Sequence, residues 1–270
     1  MEQRIAWDNL PWPLKQAIEA RTGPITAVRI ATAGQNSPLA AIIDTRDGKV
    51  FAKGLPSNHR RVITQAREAT VASLVGEISP TLLWHFDEAG WNVLGHEYAD
   101  GRHADYSPGS PDLDRLVQLM DALSTIKVPD DAGPFKRAED RWKPYLDDPQ
   151  AASVFAGPVL THSDWTPDNV LVSPRRAWLI DWAWPTLGAG WTDPACWILR
   201  LMASGGHTAS EAERQASRLP AFKDADPAHI DLFVAANVRL WEEVAQSNTS
   251  AWTVKMALAA QAWSAYRQAR

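Results

Sequence analysis

Cysteine is almost absent from this sequence: Cys196 is the only one in 270 residues. That excludes an internal disulfide and any zinc site built on cysteines, and it fits a reducing compartment. Long apolar runs are missing too. None reaches the ~18–20 residues that a membrane span needs, and residues 1–8 carry no apolar signal-peptide core, so a cytoplasmic protein with no membrane partner is expected. Positive charge is in deficit, 27 Lys and Arg against 32 Asp and Glu for a net charge of −5. A polyanion such as a nucleic acid is therefore not the expected ligand. There are no internal repeats and no low-complexity tracts. Tryptophan, by contrast, is abundant at fourteen residues, most of which are expected to pack in the core.

The most informative stretch runs from Leu160 to Val172 and is answered by Leu179-Ile180-Asp181-Trp182. The apolar runs Val170-Leu171-Val172 and Ala177-Trp178-Leu179-Ile180 flank Ser173-Pro174-Arg175-Arg176, which reads as a hairpin turn. Asn169 lies six residues before Arg175 and Asp181 six after it. A hairpin folded there returns both to its open end, ~5 Å apart as cross-strand neighbours. Two oxygen ligands in that arrangement suit Mg²⁺, which takes one or two protein oxygens and completes its shell with phosphates and water. Asp164, in the loop just before, is placed to orient an incoming hydroxyl and take its proton. Together these are the parts of metal-assisted phosphoryl transfer.

Upstream, the pattern predicts a helix over residues 11–21 and strands over 25–32, 39–44, 49–53, 82–86 and 91–98. Another helix is predicted over 60–76, its buried side formed by Val62, Ala66, Ala69, Leu74 and Val75. Lys53 closes the third strand, where a rigid element fixes its direction toward phosphates, and Glu68 on the following helix is its candidate ion-pair partner. Glu77 is the rival for that role. The turn-rich loop Ala33-Gly34-Gln35-Asn36-Ser37-Pro38 lacks G-x-G-x-x-G density, but its place ahead of Lys53 makes Gly34, Asn36 and Ser37 candidate phosphate contacts. His162 reads as a brace for the catalytic loop, and Asp168 as a turn residue. Beyond residue 100 the pattern is helical, with Leu113, Leu116, Leu119, Met120 and Leu123 on one face. Further helices are expected over 194–204, 209–217, 227–246 and 250–268, the last with a core stripe of Trp252, Met256, Trp263 and Tyr266.

His162-Ser163-Asp164 followed by Asn169, with Ile180-Asp181-Trp182 downstream, resembles the catalytic and metal-binding segments of the aminoglycoside phosphotransferase family, the small-molecule branch of the protein-kinase-like fold. The resemblance implies an α+β, two-lobed chain. Residues 1–98 form an antiparallel-sheet nucleotide lobe, a hinge falls near 95–100, and residues 99–270 form a mainly helical catalytic and substrate lobe. It implies Asp164 as catalytic base, Asn169 and Asp181 on Mg²⁺, Lys53 on the α- and β-phosphates of ATP (or GTP), and Glu68 holding Lys53. It makes residues 94–98 the strand that bonds the nucleotide base, with Glu97 and Tyr98 at its end. A monomeric phosphotransferase of a small-molecule hydroxyl is expected, its acceptor an antibiotic such as an aminoglycoside. The alternatives are a sugar, amino-alcohol or choline-like metabolite kinase and a non-catalytic nucleotide-binding pseudokinase.

Two departures from the family pattern stand out. Ser163 replaces the usual Gly, and Trp197 stands where a second acid is expected after Asp193, so the catalytic loop must be braced in another way. Asp100, Asp105, Asp112, Asp140, Asp147, Asp148, Glu242 and Glu243 are candidates for a cluster that holds a cationic acceptor. Trp165, Trp182, Trp184 and Trp191 are candidates for an apolar wall against a partly apolar one.

Overall fold

The computed structural model describes residues 4–31, 37–129 and 133–270, which fall into two compact units. The first unit comprises residues up to Gly101 together with Trp178–Ala183; the second comprises Arg102–Ala177 and Trp184–Arg270. The sequence-based division at 98/99 does not foresee the return of Trp178–Ala183 to the first unit. Its cause is local: Ser79 Oγ donates to the Leu179 carbonyl at 2.6 Å and accepts from Trp182 Nε1 at 2.6 Å, and all three groups are buried.

The first unit opens with helix α1 (Trp12–Thr22) and a five-stranded antiparallel sheet of β1 (Ile25–Ile30), β2 (Leu39–Thr45), β3 (Gly48–Pro56), β4 (Leu82–Glu88) and β5 (Trp91–Glu97), in the order β1-β2-β3-β5-β4. Helix α2 (Ile63–Val75) lies between β3 and β4 in the chain. Leu14 and Ile18, one turn apart on α1, pack with Leu39, Ala41, Ile43, Ala52, Phe86 and Val93 into one apolar core, the i, i+4 stripe that an amphipathic helix offers a sheet. The β4–β5 turn holds Ala89 at φ 54° and Gly90 at φ 76°, the paired left-handed residues of a tight hairpin.

Helix α2 does not bury the face read from its apolar residues. Gln65, Glu68, Val71 and Val75 are buried, while Val62, Ala66, Ala69 and Leu74 are only half-buried. The ion pair of Glu68 described below rotates the helix, and a paired charge can take an inward position that its polarity alone would forbid.

In the second unit, β6 (Arg102–His103) pairs with β9 (Val170–Val172), and β11 (Thr186–Gly188) lies between β7 (Lys136–Arg137) and β8 (Val159–Thr161). Strand β10 (Ala177–Leu179) follows the turn at Ser173–Arg176, which is closed by Ser173 N donating to the Arg176 carbonyl at 2.8 Å. The helices are α3 (Asp112–Ser124), α4 (Ala138–Trp142), α5 (Thr192–Arg200), α6 (Ala209–Ala216), α7 (Pro220–Lys223), α8 (Pro227–Ser247) and α9 (Ala251–Gln268). Leu113, Leu116, Leu119, Met120 and Leu123 are buried on α3, the single apolar stripe its sequence offers. Asp226 caps α8 through the Ala228 N–H, and Ser250 with Thr253 forms a capping box on α9. Every residue of α5 is buried, Arg200 included, and the segment read as its continuation is a π-helical turn, Leu201–Gly205.

Candidate active site

In the first unit three charged side chains meet. Lys53, on β3, places Nζ 2.5 Å from Glu68 Oε2 and 3.1 Å from Asp181 Oδ1. His96 Nε2, on β5, lies 3.3 Å from the other Glu68 oxygen. Lys53 and Glu68 are both almost fully buried, whereas Asp181 is about one-third exposed. Burial would lower the Lys53 pKa, but Glu68 and Asp181 outweigh it and raise it. Burial would likewise raise Glu68, and Lys53, aided by His96, pulls it instead to about 2. The rival residue, Glu77, is exposed in the turn Gly76–Ile78. A fixed, fully charged lysine held by two carboxylates is a pre-organised cation for an anionic ligand.

Asp181 sits at φ 64°, a left-handed conformation that costs a non-glycine residue about 1–2 kcal/mol and is typical of functional segments. The loop candidates Gly34 and Asn36 lie outside the described residues. Ser37 is half-buried, and its carbonyl accepts a hydrogen bond from Arg4 Nη1. The Glu97 N–H donates to the Thr81 carbonyl and the Tyr98 N–H to the Lys49 carbonyl, at 2.8 and 3.3 Å. These two N–H groups thus already have backbone partners.

In the second unit the loop between β8 and β9 carries Asp164 and Asn169. Asn169 Nδ2 donates to the Asp164 carbonyl at 2.9 Å and reaches Asp164 Oδ2 at 3.3 Å, which leaves Asn169 Oδ1 as its remaining acceptor. Asp164 Oδ1 accepts from Arg200 Nη2 at 2.8 Å. The missing second acid is replaced by Asp193 itself. Its two oxygens accept from the His162 N–H at 2.9 Å and the Ser163 N–H at 2.7 Å, all within the core. Burial raises the Asp193 pKa, and those two backbone donors oppose the rise. Trp197 is fully buried at the expected position of that acid, edge-on to Tyr106, whose hydroxyl donates to the Trp165 carbonyl at 3.1 Å.

Ser163 has φ 62°, which explains why glycine suits this position; the serine side chain compensates by accepting from Arg141 Nη1. His162 Nδ1 accepts from the Asp164 N–H at 3.3 Å and the ring meets Trp165 edge-on, a bracing role. Asp168 is exposed in the short turn Pro167–Asn169.

The tryptophans nominated as an apolar wall are mostly core: Trp165, Trp182 and Trp191 are buried, and only Trp184 is exposed, with Lys136 4.5 Å over its ring. The acidic residues of the second unit are largely engaged one by one. Asp112 is bonded to Arg102, Asp105 to Ser107, Asp147 to Arg239, Asp148 to the Gln150 N–H and Glu242 to Gln261. Sequence reading overlooked Arg200, Arg141 and Trp241 and took Trp252 for a core residue. The signal for Arg200 was its place in the otherwise apolar stretch Cys196-Trp197-Ile198-Leu199-Arg200-Leu201.

Among the described residues no three His, Cys, Asp or Glu side chains gather as a metal cluster. Mg²⁺ does not need one, because it is commonly held by one or two protein oxygens plus phosphates. Each candidate has the donor chemistry for it: in the second unit Asn169 keeps Oδ1 available, and in the first Asp181 keeps the oxygen that Lys53 does not engage.

No family profile matches this sequence, and no curated protein matches it. Solved structures do. The choline kinase LicA from Streptococcus pneumoniae superposes with a TM-score of 0.65 at 14% identity, covering 94% of this chain and 99% of its own. The macrolide 2'-phosphotransferase MphH from Brachybacterium faecium gives 0.55 at 16%, covering 92% and 97%. The aminoglycoside phosphotransferase APH(4)-Ia gives 0.56 at 12%, covering 92% and 98%. Structures of the first and third include complexes with AMP and with ADP and hygromycin B. The chain has the protein-kinase-like fold of these small-molecule kinases.

Proposed function

We propose that this chain is an ATP- and Mg²⁺-dependent phosphotransferase acting on a hydroxyl group of a small molecule. The observation that carries the reading is the Lys53–Glu68–Asp181 cluster in a fold whose solved relatives include choline kinase and antibiotic phosphotransferases. Lys53, fixed by Glu68, supplies the cation for the nucleotide phosphates, and Asn169 and Asp181 would hold Mg²⁺, which neutralises charge on the phosphate oxygens. Asp164 orients the acceptor hydroxyl and accepts its proton. The new bond forms between the acceptor oxygen and the γ-phosphorus, the bond from that phosphorus to the β–γ bridging oxygen breaks, ADP leaves, and the proton passes from Asp164 to solvent. The hydrogen bond that Asn169 Nδ2 donates to the Asp164 carbonyl and the Asp193 brace fix the loop that carries the base.

A pseudokinase would have no need to keep Lys53, Asp164, Asn169 and Asp181 together in one chain. The test is transfer of labelled γ-phosphate from Mg-ATP to a panel of aminoglycosides, macrolides, sugars, amino alcohols and hydroxy acids. Phosphorylation of at least one, absent without Mg²⁺, is expected. Nucleotide binding with no transfer to any member would favour a sensor instead.

A further inference from the structure

The side chain of Asp164 is 39% exposed, yet one of its oxygens is already committed to a cation that belongs to the chain. Arg200, at the end of α5, is nine-tenths buried and bonds Asp164 Oδ1 through Nη2. Its guanidinium carbon lies 5.3 Å from the ring centre of Trp241 on α8 and 4.9 Å from that of Trp252 on α9, and its Nη1 lies 3.2 Å from Met256 Sδ. A carboxylate flanked by indole faces is the chemistry that recognises an ammonium group. Here Arg200 has filled that role from within. A cationic acceptor would have to compete with a buried, hydrogen-bonded guanidinium for the same carboxylate and the same rings.

A second guanidinium is held against the residue before the base. Arg141, on α4, donates Nη1 to Ser163 Oγ, on the residue that precedes Asp164, and lies 5.5 Å from the Trp142 ring centre. Among the described residues it forms no ion pair. Its acidic neighbours on α4, Glu139 and Asp140, do not engage it, Asp164 is paired with Arg200, and Asp193 is turned to backbone N–H groups. Its Nε and Nη2 have no hydrogen-bond partner among the described residues, and the residue is half-buried. Arg141 and Arg200 are close enough for their charges to oppose one another. The rim of the catalytic loop therefore presents an unneutralised planar fork of donors, the group suited to bidentate contact with a carboxylate or phosphate.

We propose that the acceptor carries an anionic group, a carboxylate or a phosphate, which is bound by Arg141 while its hydroxyl is presented to Asp164, and that amines are disfavoured. This rests on the phosphotransferase reading for the chemistry but not for the binding.

The test uses acceptor triplets that share hydroxyls and differ in charge: glucuronate, glucose and glucosamine, and glycerate, glycerol and serinol. A sugar phosphate is added to separate phosphate from carboxylate. Binding is followed by ligand-observed NMR without nucleotide, and transfer is followed with Mg-ATP. The expected result is binding of acids over amines by at least ~10-fold. Arg141→Gln should remove that preference, a ~10–100-fold loss typical of a charge-assisted hydrogen bond, with Mg-ATP affinity unchanged. Arg141→Lys should restore part of it. Preferential binding of the amines, equal binding of acids by Arg141→Gln, or no binding of any acid at millimolar concentration would overturn the proposal. Acid binding that depends on Arg141, with no transfer from Mg-ATP, would support it and count against the phosphotransferase reading. Transfer to an amine would do the opposite.

Discussion

Replacing Asp193 with alanine should loosen the catalytic loop and the second unit together. Asp193 is 4% exposed and accepts the His162 and Ser163 N–H groups at 2.9 and 2.7 Å. Truncation strands both donors in the core. Each unsatisfied buried N–H costs about 1–3 kcal/mol, so the variant should lose about 2–6 kcal/mol. In a chain of this size that lowers the transition midpoint by ~5–20 °C. Asp193→Asn keeps one acceptor oxygen but turns an NH₂ toward the other N–H. Burial disfavours the native charge, raising its pKa, so neutralising it returns part of the cost, and a loss of about 1–3 kcal/mol is expected. Urea denaturation with both variants measures the two losses, and an unchanged dependence on denaturant shows that stability alone has moved. Turnover should fall with little change in nucleotide affinity, because the brace holds the loop of Asp164 rather than Lys53. If Asp193→Ala unfolds within ~0.5 kcal/mol of the wild type, as an ordinary surface substitution does, the loop is braced elsewhere and this reasoning fails.

Two further outcomes are expected in the first unit. Mg-ATP at ~100 times its dissociation constant should stabilise the chain by about 2.7 kcal/mol; Lys53→Ala should shrink that shift while affecting adenosine less, and an unchanged shift would show that Lys53 does not meet the phosphates. Glu68 has a pKa of about 2 against an ordinary 4.5, so the unfolded chain binds its proton first on acidification. The ion pair therefore contributes about 3 kcal/mol above pH ~4.5, lost progressively as pH falls toward ~2. The stability gap between wild type and Glu68→Gln should narrow over that window, and a gap that stays constant would contradict the assignment.

The order of strands and helices was legible because most had a local signature. Asp-Gly and Ala-Gly mark hairpins, Asp226-Pro227 starts a helix, and Lys53 falls in an apolar strand, which runs past the expected end at Lys53 to Pro56. The pairing of Lys53 with Glu68 followed from that order. The buried face of α2 was not legible, since Gln65 and Glu68 look like solvent residues until Lys53 and His96 are placed against them. The surroundings of Asp164 were hidden for the same reason. Arg200 is stabilised by Asp164, Trp241 and Trp252, which lie far from it in sequence. The apolar stripe on α9 supplied core residues in Met256 and Trp263, while Trp252 covers the arginine instead. Contacts between residues so distant in sequence leave no local motif, and the motifs alone left both a cationic and an apolar acceptor open.

The most direct test of the account is the turnover of Asp164→Asn on whichever hydroxyl compound the wild type phosphorylates from Mg-ATP. The account predicts a fall in kcat of about 10²–10⁴-fold, the range for a lost acid–base group, with Mg-ATP affinity retained. A variant that turns over at the wild-type rate would contradict it.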